Sequence, residues 1–490
     1  MVFIKTGHMG LRSTIIILCA GLAIAVCNAA SSSTKDKPEI PADLRFDFKP
    51  IPSDENAIVV WRRAAELQVP PEDACWLLMK YCWTPNAPLP SENDLTRLQD
   101  WLKRNRAALD VFESSLKKPK AQWFELDRRA KQPEEMALWN LMHTRLFEAE
   151  QMAEQKKFDQ AVASLAGSLK LVQWAIEGDP ALIHYLPAER LRQLVQSAML
   201  RLAGRKDIPL QSLKQLLSSL PAGDHDAALY CKAVDLQFSR YAYYPVDANT
   251  LSERWMKVYK GWSEIAATNA AYKEVMEGSR LERILLDPSL ISQHPNPWNQ
   301  NETIEANIFH FRIAITNVLS PWDRQDRLAE RMRMRVAKGL IVDAEPLTDL
   351  LKDEPFPLSQ QAAKKARTAY LAIENPIGRA IESHPILSES PLDGSEMLVF
   401  MFRAELNATR AVLALLIFEK QKGVLPEKLS DLVGERILDQ IPIDPFADTP
   451  LHYDRNRRIV WSVGLDGYND NGTTDNQGYP DLVWKIPPKN

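Results

Sequence analysis

Residues 397–422, MLVFMFRAELNATRAVLALLIFEKQK, and residues 451–463, LHYDRNRRIVWSV, decide how this chain folds. In the first stretch Phe402, Leu406, Thr409, Leu413, Leu416 and Ile417 recur at helical spacing and make one apolar face. Arg403, Glu405 and Arg410 interrupt it, and charges at membrane depth are costly, so this helix is expected to pack on protein. In the second stretch the period changes to two: Ile459, Trp461 and Val463 alternate with Val460 and Ser462. Residues 451–453 and 482–486 read as the neighbouring strands, and 454–458 as the turn between the first two. The expected unit is one long helix packed on a short antiparallel sheet, with residues 464–481 connecting the second and third strands.

Upstream, from about residue 55, the apolar spacing is mostly helical. In SENDLTRLQDWLKRNRAALDVFESSLKK (91–118), Ser91 caps with Asp94 three residues on, and Leu95, Leu98, Leu102, Leu109, Phe112 and Leu116 form a stripe. That predicts a single amphipathic helix. Residues 133–178 open on Pro-Glu-Glu, which suits a first helical turn. Within them AEQKKFDQAVASL (153–165) looks like the centre of a tetratricopeptide-type hairpin, with small Ala161 letting two helices approach. A step of about 34 residues onward does not reproduce the motif, so one helical hairpin is expected and not a repeat array. Further helices are predicted over 186–202, 210–220, 225–241, 252–276 and 302–319. Residues 320–340 read as another, whose five arginines are interleaved with Asp323, Asp326 and Glu330, the pattern of a solvated face. The fold class is therefore mainly α, an irregular helical domain over 55–395, followed by a small α+β domain over 396–490.

The chain has 490 residues, enough for a large core, and its 60 basic against 64 acidic side chains exclude the usual basic nucleic-acid binder. Lys5 and Arg12, an apolar run over 15–26 and then Ala29-Ala30 have the order of a secretory signal over 1–30. The run is shorter than the ~20 residues a span needs. Residues 31–54 read as a linker. The alternatives are an uncleaved anchor or a lipid on Cys27 behind Ile24-Ala25-Val26, so a membrane is met only through such an anchor. The chain is expected to be exported, to periplasm, cell surface or medium. Cys75, Cys82 and Cys231 would remain; on a helix Cys75 and Cys82 lie about 10 Å apart, too far for a disulfide, and core thiols are expected.

Between Trp461 and Trp484 there is no Lys, Arg, Glu, His or Cys, yet Asp466, Asp470, Asp475 and Asp481 fall there, with Asn469 and glycines at 464, 467, 472 and 478. Four like charges without a cationic side chain fit a calcium ion, which takes roughly 6–8 oxygen ligands in flexible geometry. Sulfur and imidazole are missing, so zinc and copper have nothing soft to bind. The same residues are also common turn formers, and a solvated Asp/Asn/Gly loop explains the composition equally well. The candidate ligands are Asp466, Asp470, Asp475, Asp481 and Asn469, holding a structural calcium.

A family resemblance bears on that choice. Gly423-Val424-Leu425-Pro426, Leu429 and Leu432, Ile441-Pro442-Ile443-Asp444-Pro445-Phe446, Tyr453, Ser462-Val463-Gly464-Leu465-Asp466-Gly467 and Asp481-Leu482 follow the helix in order. This resembles the C-terminal part of type II secretion major pseudopilins, over about 90 residues. The resemblance implies a calcium-binding last loop in which Asp466 matches the first aspartate ligand and Asp481 the second of a pair. Pro480 stands where the other acid of that pair would be, so Asp470 or Asp475 must replace it. The helix also lies far from the N-terminus, unlike the family's, so pilus assembly by the usual route is not expected. The opening DENAIVVWRRAAEL (54–67) and the internal ENPIGRAI (374–381) of the helical part look similar to large exported bacterial families that remain uncharacterised.

The sequence carries no HExxH, no G-x-S-x-G, no P-loop and no GxGxxG. The leading reading is a non-enzymatic exported protein: a helical scaffold with a calcium-stabilised C-terminal module that contacts a protein partner in the cell envelope. An extracytoplasmic hydrolase with its site in the helical domain, and a calcium-dependent glycan or peptide binder, are the alternatives.

Overall fold

The computed structural model describes residues 49–69, 90–123, 133–178, 180, 182–221, 225–237, 288–296, 299–322, 359–373, 376, 395–473 and 480–488. The expected signal and most of the linker, Cys75, Cys82, the predicted helix over 252–276, residues 323–340 and Asp475 lie outside them. The fold is mainly helical, with small antiparallel sheets near the C-terminus.

Helix α1 (Ala57–Leu67) starts where Asn56 Oδ1 accepts from Ile58 N at 3.0 Å, a standard N-cap. The same oxygen accepts from Gln122 N at 3.0 Å, and Asn56 Nδ2 donates to the Gln122 carbonyl at 2.8 Å. One side chain thus begins a helix and ties it to a segment 66 residues away. Trp61, fully buried, fills the space between Phe112 and Trp123 and satisfies its indole N–H on Ser115 Oγ at 3.0 Å. The single helix predicted over 91–118 is two, α2 (Glu92–Arg104) and α3 (Arg106–Ser114). The break is at buried Asn105, whose Oδ1 accepts from Val69 N at 3.1 Å while Nδ2 donates to the Trp101 carbonyl at 3.2 Å. An asparagine that bonds the backbone in this way competes with the helix ladder. The apolar stripe survives the break, with Leu98, Leu109 and Phe112 buried.

The expected hairpin is α4 (Pro133–Glu154) and α5 (Phe158–Glu177). Lys156 and Lys157 close the first helix by donating to the Ala153 and Met152 carbonyls, with Lys156 at φ 60°. Ala161 is fully buried at the start of the second helix. Then follow α6 (Leu182–Ala203), α7 (Leu210–Ser219), α8 (His225–Gln237), α9 (Gln300–Leu319) and α10 (Gln360–Leu371).

Helix α11 (Ser395–Lys422) is the axis of the C-terminal region, and residues 411–419 are buried all round. It packs against α6 and α7 and also against the sheet. That sheet is β3 (His452–Asp454), β4 (Ile459–Ser462) and β5 (Leu482–Lys485), antiparallel in the order β3-β4-β5, as the alternation predicted. A short helix α12 (Ser430–Gly434) and a two-residue ladder of β1 (Ile443–Asp444) with β2 (Thr449–Pro450) join helix to sheet. Arg458 fixes the join: its guanidinium meets Glu419 with bonds of 2.8 and 2.9 Å, and its carbonyl accepts from Ile486 N at 2.8 Å. On the bundle side, half-buried Glu405 accepts from Trp484 Nε1 at 2.9 Å. Burial raises the Glu405 pKa, while Trp484 and the Arg190 charge on α6 lower it. One hydrophobic cluster runs unbroken from Ala57 to Ile486. Among the described residues no helix is long and apolar enough to cross a membrane.

Candidate metal centre

The acidic connection leaves β4 through a single 3-10 turn, Gly464–Asp466, and returns at Asp481 next to β5. Gly464 lies at φ 69°, and a Cβ there would sit 3.1 Å from the Pro480 carbonyl oxygen. Only glycine lets the two ends of the connection pass so closely. Asp466 and Asp481 are therefore brought to the root of the loop from opposite ends.

The outgoing arm is held by local bonds. Asp466 Oδ1 accepts from Tyr468 N at 3.1 Å, and the Asp470 carbonyl accepts from Thr473 N at 3.3 Å. Asn469 Oδ1 accepts from Trp461 Nε1 at 3.0 Å and from Asn471 N at 2.9 Å, so this side chain orients the arm over the sheet. Gly472 N donates to Asp481 Oδ2 at 2.7 Å.

Asp481 is the unusual group. It is 1% exposed, and its Oδ1 has no hydrogen-bond partner among the described residues. Burial pushes its pKa up; the Gly472 and Asp470 N–H groups pull it down, and the Asp470 and Asp466 charges push it up again. The contrast with Asp444 is instructive. That carboxylate, also fully buried, accepts from Ser462 Oγ at 2.7 Å, Phe446 N at 3.0 Å and Val463 N at 2.8 Å, and so pins the β1 turn to the end of β4. Asp444 is saturated by protein donors, whereas Asp481 leaves one oxygen buried without one.

The nearest basic residue on the preceding turn is Arg457. Its Nε binds Asp454 at 2.7 Å, its Nη1 donates to the Asn471 carbonyl at 2.6 Å, and its guanidinium lies 5.3 Å from the Trp461 ring centre. Among the described residues no basic side chain pairs with Asp470 or Asp481. Also among them, no three His, Cys, Asp or Glu side chains gather closely enough to hold a metal ion. Asp475, the remaining candidate ligand, lies outside the described residues. The donor chemistry is of the kind calcium takes: every candidate atom is oxygen, and one buried carboxylate oxygen has no hydrogen-bond partner among the described residues.

Sequence reasoning found the loop and its glycines but missed Arg457, the seating of Gly472 against Ile459 and Trp461, and the role of Asn469 as a tether. His143, His184 and His294, in the helical part, are packed against neighbouring side chains and backbone. His143 is buried, its Nδ1 2.7 Å from the Trp139 carbonyl, and burial drops its pKa to about 4. His184 stacks on Trp123 at 4.7 Å, and His294 bridges the Ile373 carbonyl and Asn296 N. Comparison with family models, curated proteins and solved structures found no match to this chain.

Proposed function

We propose that this is an exported, non-enzymatic protein in which a helical scaffold carries a C-terminal α+β module stabilised by calcium and similar to that of the type II secretion pseudopilins. The module serves contact with a protein partner of the cell envelope. The observation that carries the reading is the buried Oδ1 of Asp481, without a hydrogen-bond partner among the described residues, beside the charges of Asp466 and Asp470. A divalent cation held by Asp466, Asp470, Asp475 and Asp481 would give that oxygen a partner and cancel the mutual repulsion. Its role would be structural: ion binding supplies ordering free energy to a connection whose sizeable apolar side chains are few, and Tyr468 among them is exposed. Asn469 would position the arm from outside the ligand shell.

The test is unfolding of the full chain in calcium and in chelator. Calcium is expected to raise the midpoint at millimolar concentrations, the range of extracellular modules. A midpoint that ignores calcium refutes the metal part. For export, the mature N-terminus recovered from an envelope fraction should lie near residue 30; a wholly cytoplasmic chain starting at Met1 or Met9 refutes that part.

A further inference from the structure

A cleft of about 1040 Å³ runs along the seam between the helical part and the C-terminal module, and no residue of the acidic connection lines it. Its floor is one face of α11, where Phe400, Asn407, Ile417 and Gln421 fall on the same side of the helix. One wall is α7, through Lys214, Leu217 and Ser218, together with the end of α9; the other is the chain between Glu435 and Asp448. From Phe400 to Gln421 the floor spans about 32 Å at 1.5 Å per residue. That is the length of about ten residues of extended chain. Small-ligand sites occupy ~300–1,000 Å³, so a trough of this size and length suits polypeptide. Asn407 ties floor to wall by donating to the Ile443 carbonyl at 2.8 Å, which preforms the trough.

The two ends differ in chemistry. At the Phe400 end Trp322, Phe400 and Phe446 pack together with ring centres 5.0, 5.1 and 5.8 Å apart, and Leu319 and Ile443 line the cleft while 64% and 38% exposed. Large apolar side chains left in water at a concave surface mark a contact site. At the Gln421 end the groups are charged. Glu435 binds Lys422, the last residue of α11, at 2.9 Å, which places the neighbouring Arg436 there. Lys420 Nζ donates to the Lys206 carbonyl ahead of α7 at 3.2 Å, and Arg410 donates to the Pro221 carbonyl beyond it, so α7 runs antiparallel to α11 and Lys214 faces the same half. Lys214 and Arg436 are exposed, stand on opposite walls, and form no ion pair among the described residues. Asp439 and Asp448, the remaining acids of the lining, are exposed on the Arg436 wall.

We infer that the partner protein docks in this cleft by an extended segment of about ten residues, with a large apolar or aromatic side chain between Leu319 and Ile443 and an acidic one between Lys214 and Arg436. The inference rests on the protein-partner reading above, names the surface that contact uses, and needs no cation. Burial of Leu319 and Ile443 supplies the affinity, and the two cations set the direction in which the segment lies.

The experiment pans phage-displayed random ten-residue peptides against the full chain and measures an enriched, fluorescein-labelled peptide by anisotropy. Enriched sequences are expected to carry an aromatic or large aliphatic residue towards one end and Asp or Glu towards the other. Binding should weaken about tenfold in Leu319→Ser/Ile443→Ser and about tenfold, with loss of its salt dependence, in Lys214→Glu/Arg436→Glu. Lys103→Glu, on the exposed side of α2, should leave it unchanged. All five positions are exposed, so the variants keep the fold. No enrichment, or equal binding to parent and variants, overturns the assignment. In cells making the full chain with benzoylphenylalanine at position 443 or 468, the expected result is a crosslink from 443 to an envelope protein that Lys214→Glu/Arg436→Glu abolishes. A crosslink from 468 and none from 443 refutes the cleft and leaves the partner reading standing; none from either refutes both. A crosslink from 443 to a second copy of this chain makes the cleft a dimer interface and overturns the peptide.

Discussion

Asp481→Asn should change the sign of its effect with the ion present. In chelator at neutral pH the parent carries a buried carboxylate that meets the N–H groups of Gly472 and Asp470, keeps Oδ1 without a partner among the described residues, and has two aspartate charges nearby. A buried polar group left without its partner costs about 1–3 kcal/mol. Asparagine keeps an acceptor for Gly472 N and removes the charge, but buries amide hydrogens of its own, so a net gain near the lower end, about 1 kcal/mol, is expected. With calcium at about 100 times its Kd, the parent gains about 2.7 kcal/mol, while the variant, lacking a charged ligand, gains little. The parent should then be the more stable by roughly 2 kcal/mol, the difference between those two figures. Urea unfolding followed by circular dichroism, with calcium and with chelator, reads this as two midpoints that cross over. The pH dependence adds a second sign. A carboxylate whose folded pKa is raised contributes stability that is present below its ordinary pKa and lost as pH rises through the folded value. In chelator the parent should therefore lose stability, relative to Asp481→Asn, as pH climbs past the usual carboxylate range. In calcium the trend reverses, because the ion needs the deprotonated ligand. A variant less stable than the parent by the same amount in both buffers would show that Asp481 is only an acceptor for Gly472, and the reasoning would be wrong.

Other substitutions separate structure from ion. Asp444→Ala strands three donors, the Ser462 hydroxyl and the N–H groups of Phe446 and Val463, and should cost about 3–5 kcal/mol in urea unfolding, equally with and without calcium. Arg458→Ala leaves buried Glu419 without its bidentate partner and should cost about 3 kcal/mol, read in the same way. Leu413→Ala, at a fully buried position of α11, should cost about 2–5 kcal/mol. Cys231 is a free thiol whose pKa is pushed up to about 11 by burial and by Asp235, so alkylation at pH 8 should be slow in the native chain and fast in denaturant.

Much of the fold was legible because its signals are local. The alternation of Ile459 and Trp461 with Val460 and Ser462 located β4 within a residue, and the spacing from Phe402 to Ile417 located α11. The 91–118 helix was misjudged at Asn105, where the deciding bond comes from Val69, 36 residues earlier. The β1–β2 ladder escaped notice because two residues are too few to show a period. The loop itself stood out by charge, but its composition assigned the same weight to all its aspartates. Asp481 differs from its neighbours by burial, which no local pattern encodes.

By itself the sequence determined the order of the elements, the switch from a period of 3.6 to a period of two after residue 423, and the crowding of carboxylates into one connection without a cation. These are properties of neighbours along the chain, and periodicity and composition record them directly. Only the tertiary structure decided that Glu405 meets Trp484, that Arg457 turns to Asp454 and a carbonyl, that Gly472 lies against Trp461, and that Asp481 keeps one oxygen buried without a partner among the described residues. Those outcomes depend on which distant surfaces meet when one continuous core closes, and on which polar groups are thereby removed from water.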